Sequence, residues 1–386
     1  MALKFQQQVI HQVDGDSTSV IHLKLSGSLE EIGSKLGEIA RDRHGITKAP
    51  NPSALKNACQ VQYMRKNYPV HFRRMKGLAQ AYNEDLETTR CDFTCFGAPV
   101  GEASCSAVFY PPDTTVLHQG ILSRNADLPT DSRFTESRGL GSLDVKAPSR
   151  LYVIEMVPDQ GFASLVNLSF ELYGLGLDGI NSEGLVVTHL HADVVNTHLY
   201  KPSKEYGVGI NEMLVVQMLL DNCSTVEEAK ELLLSNKHFY MLLPTHLLVA
   251  DRQGGSFVWE HSPQHNQEYV INRYSEVQIL TNHPVHAYPH PDAFPAAGEQ
   301  SGSFERFRTL KNAVEETRTF TLESIKRINS LVFIRDEMYD HPPQRPVRTI
   351  YHNLYNTHQK TMEISFYRKD EGGQQLRTEY FMFGLG

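Results

Sequence analysis

The sequence predicts an α+β protein of stacked β-sheets that carry layers of helices, and three observations indicate this fold class. Apolar residues at helical spacing dominate the first hundred residues. Short β-like runs dominate the chain after residue 104, and two pairs of helical segments interrupt them before strands resume near the C-terminus. Hairpin-linked strands that alternate with paired helices are typical of sheets packed face to face beneath helices.

The first hundred residues are predicted to be one strand followed by helices. A β-like run covers 18–26, and Ser28 with Glu31 three residues later is typical of a capping box at a helix start. Apolar residues continue at helical spacing after Glu31, and they do so again over 62–85. This region is therefore predicted to be mainly helical.

The chain from residue 105 onward is predicted to alternate between strands and helix pairs. Gly372-Gly373 predicts a turn before the last strand, and the polar stretch 128–148 is predicted to be a long loop of the kind that often carries function. The predicted strands are 105–110, 115–122, 150–157, 162–168, 184–190, 243–250, 255–260, 268–272, 277–282, 348–355, 361–367 and 378–383. The predicted helices lie near 209–221, 225–235, 303–316 and 321–331.

The composition excludes several classes of function. A formal net charge of −8 argues against nucleic acid as a partner. The sequence has no apolar run of about eighteen residues and no apolar secretory core near its N-terminus, so we expect neither a membrane contact nor secretion. Five cysteines are few for 386 residues, which favours reduced thiols in the cytoplasm over a disulfide scaffold.

The most informative residue is Cys105, which follows Ser104 at the start of a β-like run. A Pro-Pro-Asp turn comes next, and a second β-like run leads to Arg124 and Asp127. Because the two runs are predicted to pair as a hairpin, the cysteine and the two charges are expected at the same end of it. A nearby cation favours the thiolate, which is the reactive form of cysteine. Cys105 is therefore a candidate nucleophile.

Four motifs follow one another along the chain. They are Ser104-Cys105-Ser106 with Ser123-Arg124-Asn125-Ala126-Asp127, then Asp178-Gly179-Ile180-Asn181-Ser182-Glu183-Gly184-Leu185, then Leu280-Thr281-Asn282-His283-Pro284, and last Ser303-Phe304-Glu305-Arg306-Phe307. In this order they resemble the N-terminal-nucleophile cysteine hydrolases of the penicillin acyltransferase (acyl-coenzyme A:6-aminopenicillanic acid acyltransferase) family, relatives of the choloylglycine hydrolases. The helical opening also resembles the pre-segment of that family. One departure is Ser104, because the family usually has glycine before the nucleophile.

The resemblance implies a four-layer α/β/β/α sandwich, the Ntn-hydrolase fold, and autocatalytic cleavage between Ser104 and Cys105. Residues 1–104 would become a mainly helical small chain packed on a catalytic body, 105–386. Cys105 would then carry a thiol and an α-amine, whose ordinary pKa of about 7.7–8.0 suits a general base near neutral pH. The implied activity is hydrolysis of a linear amide C–N bond through a Cys105 thioester. Acyl transfer to an amine is the first alternative, and a non-catalytic binding module is the second.

The same resemblance assigns roles to site residues around Cys105. Arg124 would bias the thiol towards thiolate, and Asp127 would orient the α-amine. Asn181 and Asn282 would donate hydrogen bonds to the oxyanion of the reaction. The last site residue is Arg306, which would complete the charged network. The resemblance implies no cofactor and no metal, a small-molecule amide as substrate, and processed heterodimers that are free to form a homo-oligomer.

Several of these residues also have a structural interpretation. Asn181 lies in a Gly-Ile-Asn-Ser-Glu-Gly stretch and suits a turn equally well. Arg306 also suits an exposed helix surface, and Arg124 with Asp127 also suits a surface ion pair.

A rival mechanism, of the papain type, takes its base from a histidine, for which His189 and His283 are the candidates. The histidines show no metal-binding spacing such as His-Glu-x-x-His. The remaining cysteines are interpreted as packing residues: Cys59, Cys91, Cys95 and Cys223.

Overall fold

Two β-sheets lie face to face at the centre of the fold, and helices cover the outer face of each sheet. The structure is a computed structural model, which describes residues 2–12, 19–48, 51, 53–94, 104–129, 151–168, 172, 176–192, 207–240, 244–262, 267–295, 302–335 and 347–385. The order of layers is helix, sheet, sheet, helix. The prediction of a four-layer α/β/β/α sandwich is therefore confirmed.

The predicted helices and strands occur in the expected order, and further strands lie between them. The helices are α1 (Leu29–His44), α2 (Ala54–Asn67), α3 (Pro69–Ala81), α4 (Val215–Asn222), α5 (Val226–Ser235), α6 (Gly302–Glu315) and α7 (Leu322–Ser330). The strands are β1 (Lys4–Gln12), β2 (Ser19–Gly27), β3 (Ser104–Tyr110), β4 (Ile121–Pro129), β5 (Leu151–Pro158), β6 (Ser164–Leu168), β7 (Gly176–Asn181), β8 (Val186–His191), β9 (Ile210–Asn211), β10 (His238–Phe239), β11 (Thr245–Ala250), β12 (Gly255–Ser262), β13 (Gln267–Tyr274), β14 (Gln278–Leu280), β15 (Val347–Asn356), β16 (Thr361–Glu371), β17 (Gln374–Arg377) and β18 (Phe381–Gly384).

The larger sheet has nine strands in the order β1-β2-β5-β6-β7-β8-β11-β12-β13. The smaller sheet has seven strands in the order β14-β3-β4-β15-β16-β17, with β18 paired to β16. Side chains alternate between the two faces of a strand. In β11, Leu247 and Val249 pack beneath the helices α1–α5, whereas Leu248 and Ala250 pack between the two sheets. Helices α6 and α7 cover the outer face of the smaller sheet.

The N-terminal segment contributes to both a helix layer and a sheet. Ser28 and Glu31 form the predicted capping box of α1. The predicted helical segment 62–85 covers the end of α2 and all of α3, and residues 82–85 lie beyond the helix. The two helices meet at Tyr68 because Pro69 disfavours a helical residue before it. Strand β1 was not predicted; it pairs with β2, and β2 pairs in parallel with β5. The first hundred residues are thus mainly helical, but they also supply two strands of the larger sheet.

The hairpin that contains Cys105 differs from the prediction at its second strand. Strand β4 begins at Ile121, so residues 115–120 belong to the connection and not to a strand. Arg124 and Asp127 therefore lie within β4, facing the first residues of β3, and do not follow the strand. Most of the predicted loop 128–148 falls outside the described residues. None of the helices in the described part of the chain is long and apolar enough to cross a membrane.

Candidate active site

Pairing at the open end of the β3–β4 hairpin fixes the surroundings of Cys105. Cys105 lies opposite Ala126 in this antiparallel pair, and its side chain packs between the two sheets. The strand alternation brings Arg124 to the same face, where its Nη2 donates to Cys105 Sγ at 3.3 Å. The predicted proximity of cysteine and arginine is therefore present in the structure. Cys105 as a whole is 4% exposed.

Burial and charge act in opposite directions on the Cys105 thiol. Burial raises the thiol pKa above its ordinary value, and the carboxylate of Asp127 adds to this increase. The positive charges of Arg124 and Arg306 lower the thiol pKa, as does a backbone hydrogen bond at Asp127. Arg124 thus acts in the predicted direction, but burial outweighs it. Burial of Cys105 therefore favours the protonated thiol.

Arg124 is held in place by a buried carboxylate to which the sequence analysis assigned no role. Its Nη1 donates to Asp178 Oδ2 and to the Tyr351 hydroxyl, while its Nη2 also donates to the backbone oxygen of His189 at 3.0 Å. Tyr351 in turn donates to Asp178 Oδ2 at 2.6 Å. The remaining donors to Asp178 Oδ1 are Asn167 Nδ2 at 2.7 Å, Asn353 Nδ2 at 2.7 Å and the Tyr355 hydroxyl. With this many donors the buried carboxylate is well compensated, and the guanidinium orientation is fixed.

The backbone of Cys105 is held by the third and fourth motifs. The Cys105 N–H donates to Asn282 Oδ1 at 3.0 Å, and Arg306 Nη1 donates to the Cys105 carbonyl at 2.6 Å. Arg306 Nη2 also donates to Asn282 Oδ1 at 2.7 Å, so the two side chains form one unit. Arg306 is 2% exposed, so the structure contradicts the alternative of a helix-surface charge. Both residues lie where the sequence analysis expects site residues.

The loop of Asn282 is anchored on the first turn of α6. Ser303 Oγ accepts hydrogen bonds from the backbone N–H groups of Asn282 and His283, both at 2.8 Å. Asn282 Nδ2 donates to the backbone oxygen of His191 at 2.7 Å. The position of the Asn282 amide beside Cys105 is therefore set by β8, by α6 and by Arg306 together.

Asp127 lies on the opposite face of the smaller sheet from the thiol. It faces Ser104 across the β3–β4 pair and Thr349 across the β4–β15 pair. Thr349 Oγ1 donates to Asp127 Oδ1 at 2.6 Å, whereas the buried Oδ2 has no hydrogen-bond partner among the residues that the structure describes. Burial raises the pKa of this carboxyl to about 6, although Arg306, the Thr349 hydroxyl and Arg124 oppose the increase. The carboxyl thus titrates close to neutral pH beside the Ser104–Cys105 bond.

The structure contradicts the predicted oxyanion role of Asn181. In β7, Asp178 and Ile180 face the smaller sheet, so Asn181 faces the helices on the other side. Its Nδ2 donates to the backbone oxygens of Leu220 and Cys223 at 2.9 and 2.7 Å. Both amide N–H groups are therefore engaged in the helix layer, on the far side of the larger sheet from Cys105.

The turn alternative for Asn181 describes its role correctly. Asn181 Oδ1 accepts hydrogen bonds from the backbone N–H groups of Glu183 and Leu185 at 3.1 and 3.0 Å. Gly184 has a φ of 86°, and a Cβ there would lie 2.1 Å from the backbone oxygen of Thr357. The second motif thus ends in a tight turn between β7 and β8, and its Asp178 holds Arg124.

Neither histidine of the rival mechanism reaches the thiol. Burial lowers the pKa of His189 to about 3, and the backbone oxygen of this residue, not its ring, contacts Arg124. Burial also lowers the pKa of His283 to about 3, and its ring stacks on Phe304 at 4.5 Å. Within the described part of the chain, the side chain that hydrogen-bonds to Cys105 Sγ is Arg124. A papain-like cysteine–histidine pair is not formed.

The four cysteines in the described residues carry free thiols in different settings. Cys223 is buried near the end of α4, where burial and the charge of Glu228 raise its thiol pKa to about 12. Cys105 differs because two arginines oppose the effect of burial. The remaining two, Cys59 and Cys91, are exposed and half-buried, and Cys95 lies outside the described residues.

Comparison with protein families gives one match. The family described as acyl-coenzyme A:6-aminopenicillanic acid acyl-transferase matches residues 143–371, which is more than half of the 386-residue chain. The matched segment contains Asp178, Asn282 and Arg306, and it begins after Cys105 and Asp127. A search of curated proteins finds no matching sequence.

Solved structures with some likeness to the chain are also hydrolases or acylases by their descriptions. A conjugated bile acid hydrolase from Clostridium perfringens is 16% identical, with a TM-score of 0.47 and coverage of 72% of this chain and 92% of that chain. A penicillin V acylase from Agrobacterium tumefaciens is 15% identical, with a TM-score of 0.46 and coverage of 68% and 83%. These values are too low to support an inference about activity or substrate.

Proposed function

Since the chain belongs to the acyl-coenzyme A:6-aminopenicillanic acid acyl-transferase family, we propose that it is a self-processing cysteine amidohydrolase that cleaves linear amide C–N bonds. One observation carries the proposal: the sulfur, the backbone N–H and the backbone carbonyl of Cys105 each have a side-chain hydrogen-bond partner. Its Sγ contacts Arg124, its N–H contacts Asn282 and its carbonyl contacts Arg306. A buried packing cysteine also pairs its backbone N–H and C=O, but it needs no cation at its sulfur.

The proposed processing step converts an internal cysteine into an N-terminal one. Cys105 Sγ attacks the carbonyl carbon of Ser104, the C–N bond to Cys105 breaks, and the nitrogen takes up the proton that the thiol loses. Water then hydrolyses the thioester, which leaves a carboxylate on Ser104 and restores the thiol. The nitrogen released here is the one that Asn282 Oδ1 already holds in the uncut chain, so the new α-amine begins in a defined position.

The proposed hydrolysis of substrate repeats this chemistry on another amide. The α-amine accepts the thiol proton, Sγ attacks the substrate carbonyl carbon, and the proton passes to the leaving amine. Water, deprotonated by the α-amine, then attacks the thioester and releases the acid. Asn282 Nδ2 is the candidate oxyanion donor, since it makes one described hydrogen bond, to His191, and has a second N–H. The implied substrate is a small-molecule amide.

Acyl transfer is the second candidate, and the family description favours it. The same thioester can be attacked by an amine in place of water, and the bond that forms is then a new amide. Single-turnover experiments with an added amine separate the two reactions, because transfer yields the new amide whereas hydrolysis yields the free acid. Accumulation of the amide at the expense of the acid would favour the acyltransferase.

Intact-mass spectrometry of the purified protein tests the self-processing proposal directly. We expect two polypeptides, with the masses of residues 1–104 and 105–386, that elute together under native conditions. The free N-terminus of the larger piece should be Cys105. A single polypeptide of 43.7 kDa would overturn the proposal and favour a non-catalytic binding module.

The pH dependence of processing should follow the Asp127 carboxyl, whose pKa burial raises to about 6. Above that pH the carboxylate is ionised and compensates the positive charge that develops on the departing nitrogen, whereas below it the neutral acid does not. We expect the cleavage rate of freshly synthesised precursor to rise with pH through a midpoint near 6. Denaturing gels of precursor incubated between about pH 5 and 8 measure this rise. A rise that persists unchanged in Asp127→Asn would assign the midpoint to another group.

A further inference from the structure

Thr349 makes a directed contact with Asp127 that nothing in the proposed chemistry yet uses. The two residues face each other across the β4–β15 pair, and both side chains are fully buried. Thr349 Oγ1 accepts the backbone N–H of Ile334 at 3.0 Å and donates to Asp127 Oδ1 at 2.6 Å. The hydroxyl therefore accepts one hydrogen bond, from Ile334, and donates its single proton to the carboxylate.

We propose that Thr349 is a positioning residue that holds the Asp127 carboxylate ready for the chemistry at the Ser104–Cys105 bond. This inference rests on the proposed function. With Oδ1 fixed by Thr349, Oδ2 is the carboxylate oxygen that remains unpartnered and buried next to the scissile residues. A buried carboxylate oxygen without a donor is costly, and the departing amine nitrogen is the donor that processing would supply.

Three arginines act on the Asp127 carboxyl through charge and lower its pKa: Arg306 from α6, Arg124 from β4 and Arg377 from β17. The Cys105 thiol of β3, on the other face of the smaller sheet, is coupled to the same carboxylate. Arg306 donates to Cys105 and Asn282, and Arg377 donates to the backbone oxygens of Thr349 and Ser365. In the described residues, Thr349 is therefore the side chain that hydrogen-bonds to the Asp127 carboxylate.

A threonine suits this task for a conformational reason. Branching at Cβ restricts χ1, so a threonine on a strand keeps its hydroxyl in one direction. A valine has nearly the same shape but no hydroxyl, whereas a serine keeps the hydroxyl with a freer χ1. The two substitutions therefore separate the hydrogen bond from the packing.

The test compares the pH dependence of precursor cleavage in Thr349→Val, Thr349→Ser and wild type. A hydrogen bond to the ionised carboxyl favours that form, so its loss raises the Asp127 pKa. We expect Thr349→Val to move the midpoint up by about one pH unit and to slow cleavage about tenfold below it. Thr349→Ser should restore most of the wild-type profile. The control is Thr188→Val, a buried threonine in the other sheet, which should leave the midpoint unchanged.

Thermal unfolding of each precursor shows whether it is folded. If the valine variant is not, Thr349→Ala takes its place with the same expected shift. A wild-type chain that is never cut overturns the proposed function and this inference with it. A wild type that is cut, with a midpoint that neither Thr349→Val nor Thr349→Ala moves, overturns this inference alone.

Discussion

A chain with Cys105→Ala is expected to remain one polypeptide of 43.7 kDa and to hydrolyse no amide. The substitution removes the sulfur that would attack both the Ser104 carbonyl and the substrate, and no other described side chain takes its place beside Arg124. The variant should stay folded, because the side chain lost is small and packs against Ala107 and Ala126 in the apolar layer between the sheets. Intact mass, amidase activity and thermal unfolding measure the three expectations.

Cys223→Ala is the matched control for this experiment. Cys223 is as buried as Cys105. Its thiol pKa is shifted by burial and by the charge of Glu228, and not by an arginine. This variant should be cleaved like the wild type. Cys105→Ser should be cleaved slowly, since a hydroxyl is a weaker nucleophile than a thiol near neutral pH. Cleavage of Cys105→Ala at the same bond would show that another group or a protease cuts the chain.

The second large effect is expected at Asn282. Asn282→Ala should lower kcat by roughly 10²–10³ while KM changes much less, because an oxyanion donor acts mainly on the transition state. The same substitution leaves the nitrogen of Cys105 without its acceptor and frees Arg306 from one of its two contacts. Steady-state kinetics of the processed enzyme measure the effect. An increase in KM alone would place Asn282 in substrate binding.

Asn181→Ala is the contrasting variant. The sequence motifs assign an oxyanion role to both asparagines, whereas the structure places Asn181 in a turn. Asn181 hydrogen-bonds to four backbone groups in a buried turn. Its replacement should lower the free energy of unfolding by about 2–4 kcal/mol, while kcat of the folded enzyme stays within about threefold of wild type. A loss of kcat equal to that of Asn282→Ala would show that Asn181 does act in the active site.

The predictions that succeeded concern neighbours along the chain or residues fixed by a motif. The capping box at Ser28 and Glu31 is local, and the hairpin of Cys105 needs one turn. The structure also brings Asn282 and Arg306 to Cys105, from motifs far apart in sequence. Their catalytic roles remain predictions.

The predictions that failed depend on which face of a strand a residue occupies. Residues 176–181 are not predicted as a strand, because glycines interrupt the apolar residues there. Without a predicted strand, the sequence does not show that Asp178 and Asn181 lie on opposite faces of the sheet. The Thr349–Asp127 contact joins residues 222 positions apart, and no local pattern marks it. The balance of burial against Arg124 at the thiol also requires the packed structure.

The parallel pairing of β2 with β5 would affect how the protein behaves after the proposed cleavage. After the proposed cleavage before Cys105, this ladder of eight residue pairs would join two separate polypeptides. The smaller polypeptide also supplies much of the helix-side core, including Leu23, Ile32 and Met75. Folding of the precursor is a unimolecular event, whereas reassembly of the two pieces after unfolding is bimolecular and depends on their concentration. The proposed cleavage would thus make recovery of the native state after unfolding depend on the concentration of both pieces.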